Sequence, residues 1–74
     1  RTALMHSKAE LEGISEEKKA IFLTDYGDIL IGWYVGQDRG LRRREVVNIR
    51  LEDGDDRYLE SVPYIDLKGW GYLE

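Results

Sequence analysis

The residues best suited to binding chemistry are four arginines within six positions, Arg39, Arg42, Arg43 and Arg44. Guanidinium groups bind carboxylates and phosphates through paired hydrogen bonds, so such a cluster suits an anionic partner. Two aromatic residues, Trp33 and Tyr34, precede the cluster and offer stacking or packing surface. The sequence therefore predicts a partner-binding site made of residues 37–44 and these adjacent aromatics.

The arginine cluster has three interpretations. The first is an acidic protein or a second copy of the chain, held by complementary charge. The alternative is weak single-stranded RNA or DNA binding, with arginines on phosphates and Trp33 or Tyr34 stacked on bases. The third is a solvated loop that balances fifteen acidic residues. The net charge of −4 disfavours generic nucleic-acid binding, which relies on phosphate neutralisation, so the first interpretation is preferred.

A second charged cluster is acidic and surrounds Gly54, with Glu52, Asp53, Asp55 and Asp56. Asp-Gly pairs are typical of tight hairpin turns, which accounts for the cluster without a ligand. The alternating ladder of a calcium-binding loop, with its distal glutamate, is missing. These carboxylates are also a candidate partner for the arginines of a second copy.

Residues for catalysis or metal binding are scarce. The chain has no cysteine, and His6 is its one histidine, so neither a catalytic triad nor a metal site is expected. Asp25 and Asp28 flank a turn glycine and are interpreted as turn formers. We expect a protein that is not an enzyme and has no cofactor. The lack of cysteine favours a reducing, cytoplasmic location, and no apolar run is long enough to span a membrane.

A chain of 74 residues is expected to form a single small domain. A core of this size supplies only about 3–5 kcal/mol of net stability. The chain begins with Arg1 and not with methionine. We expect Met5 to be the natural start, residues 1–4 to come from outside the natural chain or from a neighbouring segment, and residues 1–6 to be flexible.

The N-terminal segment, residues 7–18, is predicted to be helical. Ser7 and Glu10 have the spacing of a capping box, which satisfies backbone N–H groups at a helix start. Gly13 interrupts the pattern, since glycine costs about 1 kcal/mol inside a helix. Two arrangements stay open: a short helix that ends before Gly13 and a second turn capped by Ser15, or one bent helix through the whole segment.

Residues 19–73 are predicted to be rich in β-structure. The apolar run from Ile29 to Val35 lies between turn signals and indicates a strand with both faces covered. Residues 19–24 fit a helix or a strand, and the strand is preferred because a hairpin loop of residues 25–27 follows. This loop sets the pairs Ala20 with Gly32, Ile21 with Ile31, Phe22 with Leu30, and Leu23 with Ile29.

The remaining strands are predicted at residues 44–51, 57–62 and 64–67, followed by a turn at residues 68–69 and a closing aromatic segment at residues 70–73 that packs on the core. Val47, Ile49 and Leu51 alternate with polar positions, as in a half-buried strand. Pro63 cannot donate to a ladder, so it ends the strand at residues 57–62 or forces a step onto another sheet. Trp70 is expected to close the core. The predicted fold is α+β, with the helical segment on a small, strongly curved antiparallel β-sheet or barrel of four to six short strands.

Overall fold

The structure, a computed structural model, describes residues 5–73, so the origin of residues 1–4 lies outside the described part. Six strands make up most of it: β1 (His6–Ser7), β2 (Ala20–Thr24), β3 (Ile29–Arg39), β4 (Glu45–Leu51), β5 (Glu60–Pro63) and β6 (Leu67–Tyr72). Three 3-10 turns complete the regular structure: Lys8–Gly13, Leu41–Arg43 and Tyr64–Asp66. His6, expected in a flexible segment, instead pairs with Trp70.

All six strands form one antiparallel sheet in the order β1-β6-β2-β3-β4-β5. β5 and β6 are joined by three residues, Tyr64–Asp66, yet three strands separate them in the sheet. In a flat sheet these two strands would lie about 19 Å apart, whereas the connection reaches at most about 14 Å. The sheet therefore bends so that its margins approach each other. It does not close, so the predicted barrel is wrong.

The predicted N-terminal helical segment is also wrong, and with it the α+β class. Residues Lys8–Gly13 form a 3-10 turn, although the Ser7 backbone N–H donates to Glu10 Oε1 at 3.4 Å, as a capping box requires. The His6 ring donates from Nδ1 to Glu10 Oε2 at 3.0 Å, and this hydrogen bond lowers the pKa of Glu10. Too few residues follow this cap to form a stable α-helix before Gly13. Within residues 5–73, no helix is long and apolar enough to cross a membrane.

The hairpin of β2 and β3 confirms the predicted strand and its register. All four predicted residue pairs are present. In the loop, the Gly27 N–H donates to the Thr24 carbonyl at 3.1 Å, and Gly27 has a φ of 88°, the left-handed conformation expected there. Local turn chemistry therefore determined the alignment of these two strands.

β3 confirms the extended conformation predicted for Ile29 to Val35, but not the burial of both faces. Its core face carries Leu30, Gly32 and Tyr34, which lie against the core. On the opposite face the Ile29 side chain is 62% exposed and Val35 is 40% exposed. No layer of the described chain covers this outer face, because the N-terminal segment packs Leu11 and Ile14 into the core on the other side of the sheet.

The core lies inside the curve of the sheet. It consists of side chains from β2, β4, β5, β6 and the first 3-10 turn: Leu11, Ile14, Ala20, Phe22, Val47, Ile49, Val62, Leu67 and Trp70. The predicted alternation along β4 is confirmed. Trp70 is 2% exposed, as expected for a residue that closes the core.

The last third of the chain differs from the prediction in its details. β5 has four residues and ends at Pro63, so the strand expected at residues 57–62 is shorter. Tyr64–Asp66 forms a 3-10 turn in place of the predicted short strand. This turn lets the chain leave one margin of the sheet and enter β6 near the other.

Candidate functional site

The loop between β3 and β4 carries the predicted arginines, and we call residues 37–44 the arginine loop. Three backbone hydrogen bonds close it: Gly40 N–H to Arg44 O at 2.7 Å, Arg43 N–H to Gly40 O at 3.1 Å, and Arg44 N–H to Leu41 O at 3.3 Å. The loop therefore has its own local order, although every one of its side chains is exposed.

A bulge in β3 precedes the arginine loop and determines its direction. The pairing with β4 shifts between Tyr34 and Gly36, so Val35 has no partner on β4. Gly36 has a φ of 135°, a conformation that glycine adopts without steric cost. Bulges bend the strand that contains them, and this bend precedes the last pair of the ladder, Arg39 with Glu45.

No ion pair is formed by Arg39, Arg42, Arg43 or Arg44 with any residue in the described range 5–73. Their guanidinium groups also form no hydrogen bonds there. Four positive charges are thus left to solvent on one short loop. Charge pairing inside the described chain does not explain why they are gathered there.

Two of these arginines have an unusual backbone. Arg42 has a φ of 59° and Arg43 a φ of 60°, the left-handed conformation that side chains with a Cβ rarely adopt. Each such residue costs on the order of 1–2 kcal/mol. Backbone strain of this kind occurs often at binding sites, where the surrounding structure maintains it.

This strain predicts that replacing Arg42 or Arg43 by glycine raises the free energy of unfolding by about 0.5–1 kcal/mol, since glycine removes the left-handed penalty. Arg44 has an extended backbone, with φ −69° and ψ 135°, so Arg44→Gly is the matched control and should lose a similar amount. Urea unfolding of the three variants measures these differences. Equal effects at all three positions would contradict the strained conformation.

An open groove lies beside the arginine loop and was not foreseen from the sequence. Leu41, Val46 and Pro63 give it apolar walls, and Arg42 and Arg44 lie at its sides. The Leu41 side chain is 91% exposed. Leu41 is apolar within an otherwise polar loop, and that contrast is the one sequence signal by which this surface could have been suspected.

Gly40 allows the loop to fold onto β4. A Cβ at this position would lie 3.1 Å from Val46 Cγ1, so a larger residue would require the Val46 side chain or the loop to shift by a few tenths of an ångström. The close approach brings Leu41 next to Val46 and forms the groove. Val46 belongs to the outer face of β4, opposite the buried Val47.

Trp33 does not join the arginine loop, and Tyr34 contacts the loop at its first residue, Gln37, but not at the arginines. Trp33 lies six residues before Arg39, about 20 Å along the strand. The Arg50 guanidinium lies over the Trp33 ring, 4.4 Å from its centre. Tyr34 faces the core side, its hydroxyl hydrogen-bonds Gln37 at 3.3 Å, and burial, together with the charge of Glu16, raises its pKa. The structure therefore brings the four arginines together and leaves both aromatics apart from them.

The acidic cluster is paired mainly within the chain. Glu52 accepts from Lys19 at 2.6 Å, Asp56 lies 3.7 Å from Arg50, and Asp55 accepts from Arg57 at 2.8 Å. The Arg57 guanidinium lowers the pKa of Asp55. Because these carboxylates have local partners, they are a poorer match for the arginines of a second copy than the sequence suggested.

The other candidate residues, His6, Asp25 and Asp28, take part in packing and in turn structure. The His6 ring stacks on Trp70 with centroids 4.4 Å apart. Asp25 and Asp28 lie at the β2–β3 turn, where the Asp25 N–H donates to the Asp66 carbonyl. Residues 5–73 contain no group of three or more His, Cys, Asp or Glu residues arranged to hold a metal ion. No family model, curated protein or solved structure matches this chain.

Proposed function

We propose that this domain is a non-enzymatic interaction module that binds an acidic segment of a partner protein through the arginine loop. The observation that carries the proposal is the group of four arginines with no ion-pair partner in residues 5–73. Exposed guanidinium groups without internal partners are free to form bidentate bonds to carboxylates. Their clustering raises the rate and selectivity of encounter with an acidic surface.

An acidic protein fits this surface better than a nucleic acid does. Nucleic-acid binding requires positive potential that continues across a face. Here Asp38 and Glu45 interrupt the arginines at both ends of the loop. Base stacking also needs exposed aromatic rings nearby, whereas Trp33 is covered by Arg50 and Tyr34 faces the core side.

An acidic partner also fits better than a second copy. Three of the four carboxylates in the loop that follows β4, those of Glu52, Asp55 and Asp56, are paired with Lys19, Arg57 and Arg50. A copy would have to give up these exposed pairs to use the same groups on the arginine loop. Each exposed pair contributes at most about 1 kcal/mol. The acidic partner is therefore favoured over a second copy by the three pairs together and not by any one of them.

The test is a titration of the domain with a labelled synthetic peptide of alternating glutamate and serine, followed by fluorescence anisotropy. The variant R42Q/R43Q should weaken binding about tenfold, as expected for the loss of two charge-assisted contacts. The matched control K18Q/K68Q removes the same charge from two exposed residues outside the loop. It should weaken binding by less than about twofold.

Three results would overturn the proposal. One is equal weakening by both double variants, which would indicate a response to net charge alone. Another is tighter binding of a single-stranded RNA of the same charge in the same titration. The third is a dimer, seen by light scattering, that R42Q/R43Q dissociates, which would make a second copy the partner.

A further inference from the structure

The groove beside the arginine loop has apolar walls, and binding of an acidic segment by the arginines does not explain them. Leu41, Val46 and Pro63 present apolar surface to solvent, and the described chain leaves this surface open. The groove has a volume of about 520 Å³, which is within the range of sites that take up apolar groups. A loop that bound carboxylates only would need no apolar floor.

From this arrangement we infer that the partner segment inserts one apolar side chain into the groove between Leu41, Val46 and Pro63, with acidic residues on each side. This inference rests on the proposed function and specifies its ligand. Arg42 and Arg44 line the same groove, so carboxylates that flank the inserted side chain would meet guanidinium groups. Charge complementarity around an apolar centre is the usual arrangement of a binding hot spot.

The position of the groove also favours an extended segment. One wall is β5, a four-residue strand at the margin of the sheet, and the other is the arginine loop. A segment lying between them projects alternate side chains toward the floor and away from it. One apolar residue can therefore face the floor while its acidic neighbours stay in solvent, where the exposed side chains of Arg42 and Arg44 also lie.

The experiment compares two peptides on the same protein. One is the glutamate–serine peptide, and the other has its central serine replaced by phenylalanine. We expect phenylalanine to strengthen binding to the unmodified domain about tenfold, as for partial burial of an aromatic side chain. With the double variant L41S/V46T this gain should fall below about threefold.

A control variant separates the groove from exposed apolar surface in general. Ile29 is 62% exposed on the outer face of β3, and Ile29→Thr should keep the full gain from phenylalanine. Circular dichroism of each variant verifies that it is folded. A gain that survives in L41S/V46T or is lost in Ile29→Thr would contradict insertion into the groove.

The outcomes for the two proposals are distinct. If both peptides bind equally and R42Q/R43Q weakens both, the apolar insertion is wrong and the arginine loop is still the binding site. If R42Q/R43Q weakens neither peptide, the proposed function is wrong, and the inference that rests on it is wrong as well.

Discussion

Replacing Gly32 by alanine is expected to unfold the domain. Gly32 is buried in the middle of β3 and pairs with Leu51 on β4. A Cβ added there would overlap the Arg50 carbonyl oxygen and lie 2.9 Å from Leu51 Cα. Both atoms belong to the backbone of β4, so no side-chain rotation relieves the overlap. The strands would have to separate along their shared ladder.

Overpacking a core typically lowers the free energy of unfolding by about 1–3 kcal/mol. We expect a larger loss for Gly32→Ala, comparable with the whole stability of a domain this size. Circular dichroism and the dispersion of amide resonances in an NMR spectrum measure it. Gly13→Ala is the matched control, because an added Cβ there meets no atom within 4 Å. It should change stability by less than about 0.5 kcal/mol. A folded Gly32→Ala protein would show that the two strands lie further apart than described.

The second large effect is expected for Trp70→Ala. The Trp70 side chain is 2% exposed and packs against the His6 ring at 4.4 Å and the Tyr72 ring at 5.1 Å. Truncating a buried tryptophan costs about 3–5 kcal/mol, so we expect loss of most of the folded population. Trp70→Phe should cost less, because it keeps a ring and removes an indole N–H that has no partner among the described residues.

The other tryptophan gives the comparison. Trp33 is half-buried on the outer face of β3, where its main contact is Arg50. Trp33→Ala should therefore cost only about 1–2 kcal/mol, from the loss of a partly exposed ring and its cation–π contact. Urea unfolding gives both values. Equal losses at the two positions would contradict the placement of the core on one side of the sheet.

The parts of the fold that were predicted correctly from the sequence are those determined by residues close together in the chain. The loop of residues 25–27 has one residue with a left-handed preference, Gly27, and that fixed the register of β2 and β3. The alternation of Val47 and Ile49 with polar neighbours indicated which face of β4 is buried. Both inferences needed only local turn chemistry and the two-residue period of a strand.

The parts that failed depend on contacts distant in sequence. The Ser7–Glu10 pattern is present in the structure, but the pairing of β1 with β6 holds the start of this segment in place. Buried Leu11 and Ile14 anchor its other end, so a short 3-10 turn replaces the helix. Propensity within the segment carried no information about these constraints.

Only part of the candidate site could be predicted from the sequence. The arginine cluster is visible as composition, and its position between β3 and β4 follows from the strand pattern. The groove is not visible, because Val46 and Pro63 meet Leu41 only after β4 and β5 pair. Trp33 and the arginines are close in sequence, but the extended strand separates them by about 20 Å.

The brevity of β5 has a consequence for the behaviour of the protein at high concentration. Unpaired strand margins are templates on which further chains can add, the first step toward fibrils. Here that margin has only four residues and ends in a proline that has no N–H to offer. The opposite margin is the two-residue β1. Edge strands this short offer few backbone groups with which a further strand could pair, which limits polymerisation by strand addition at β5 and at β1.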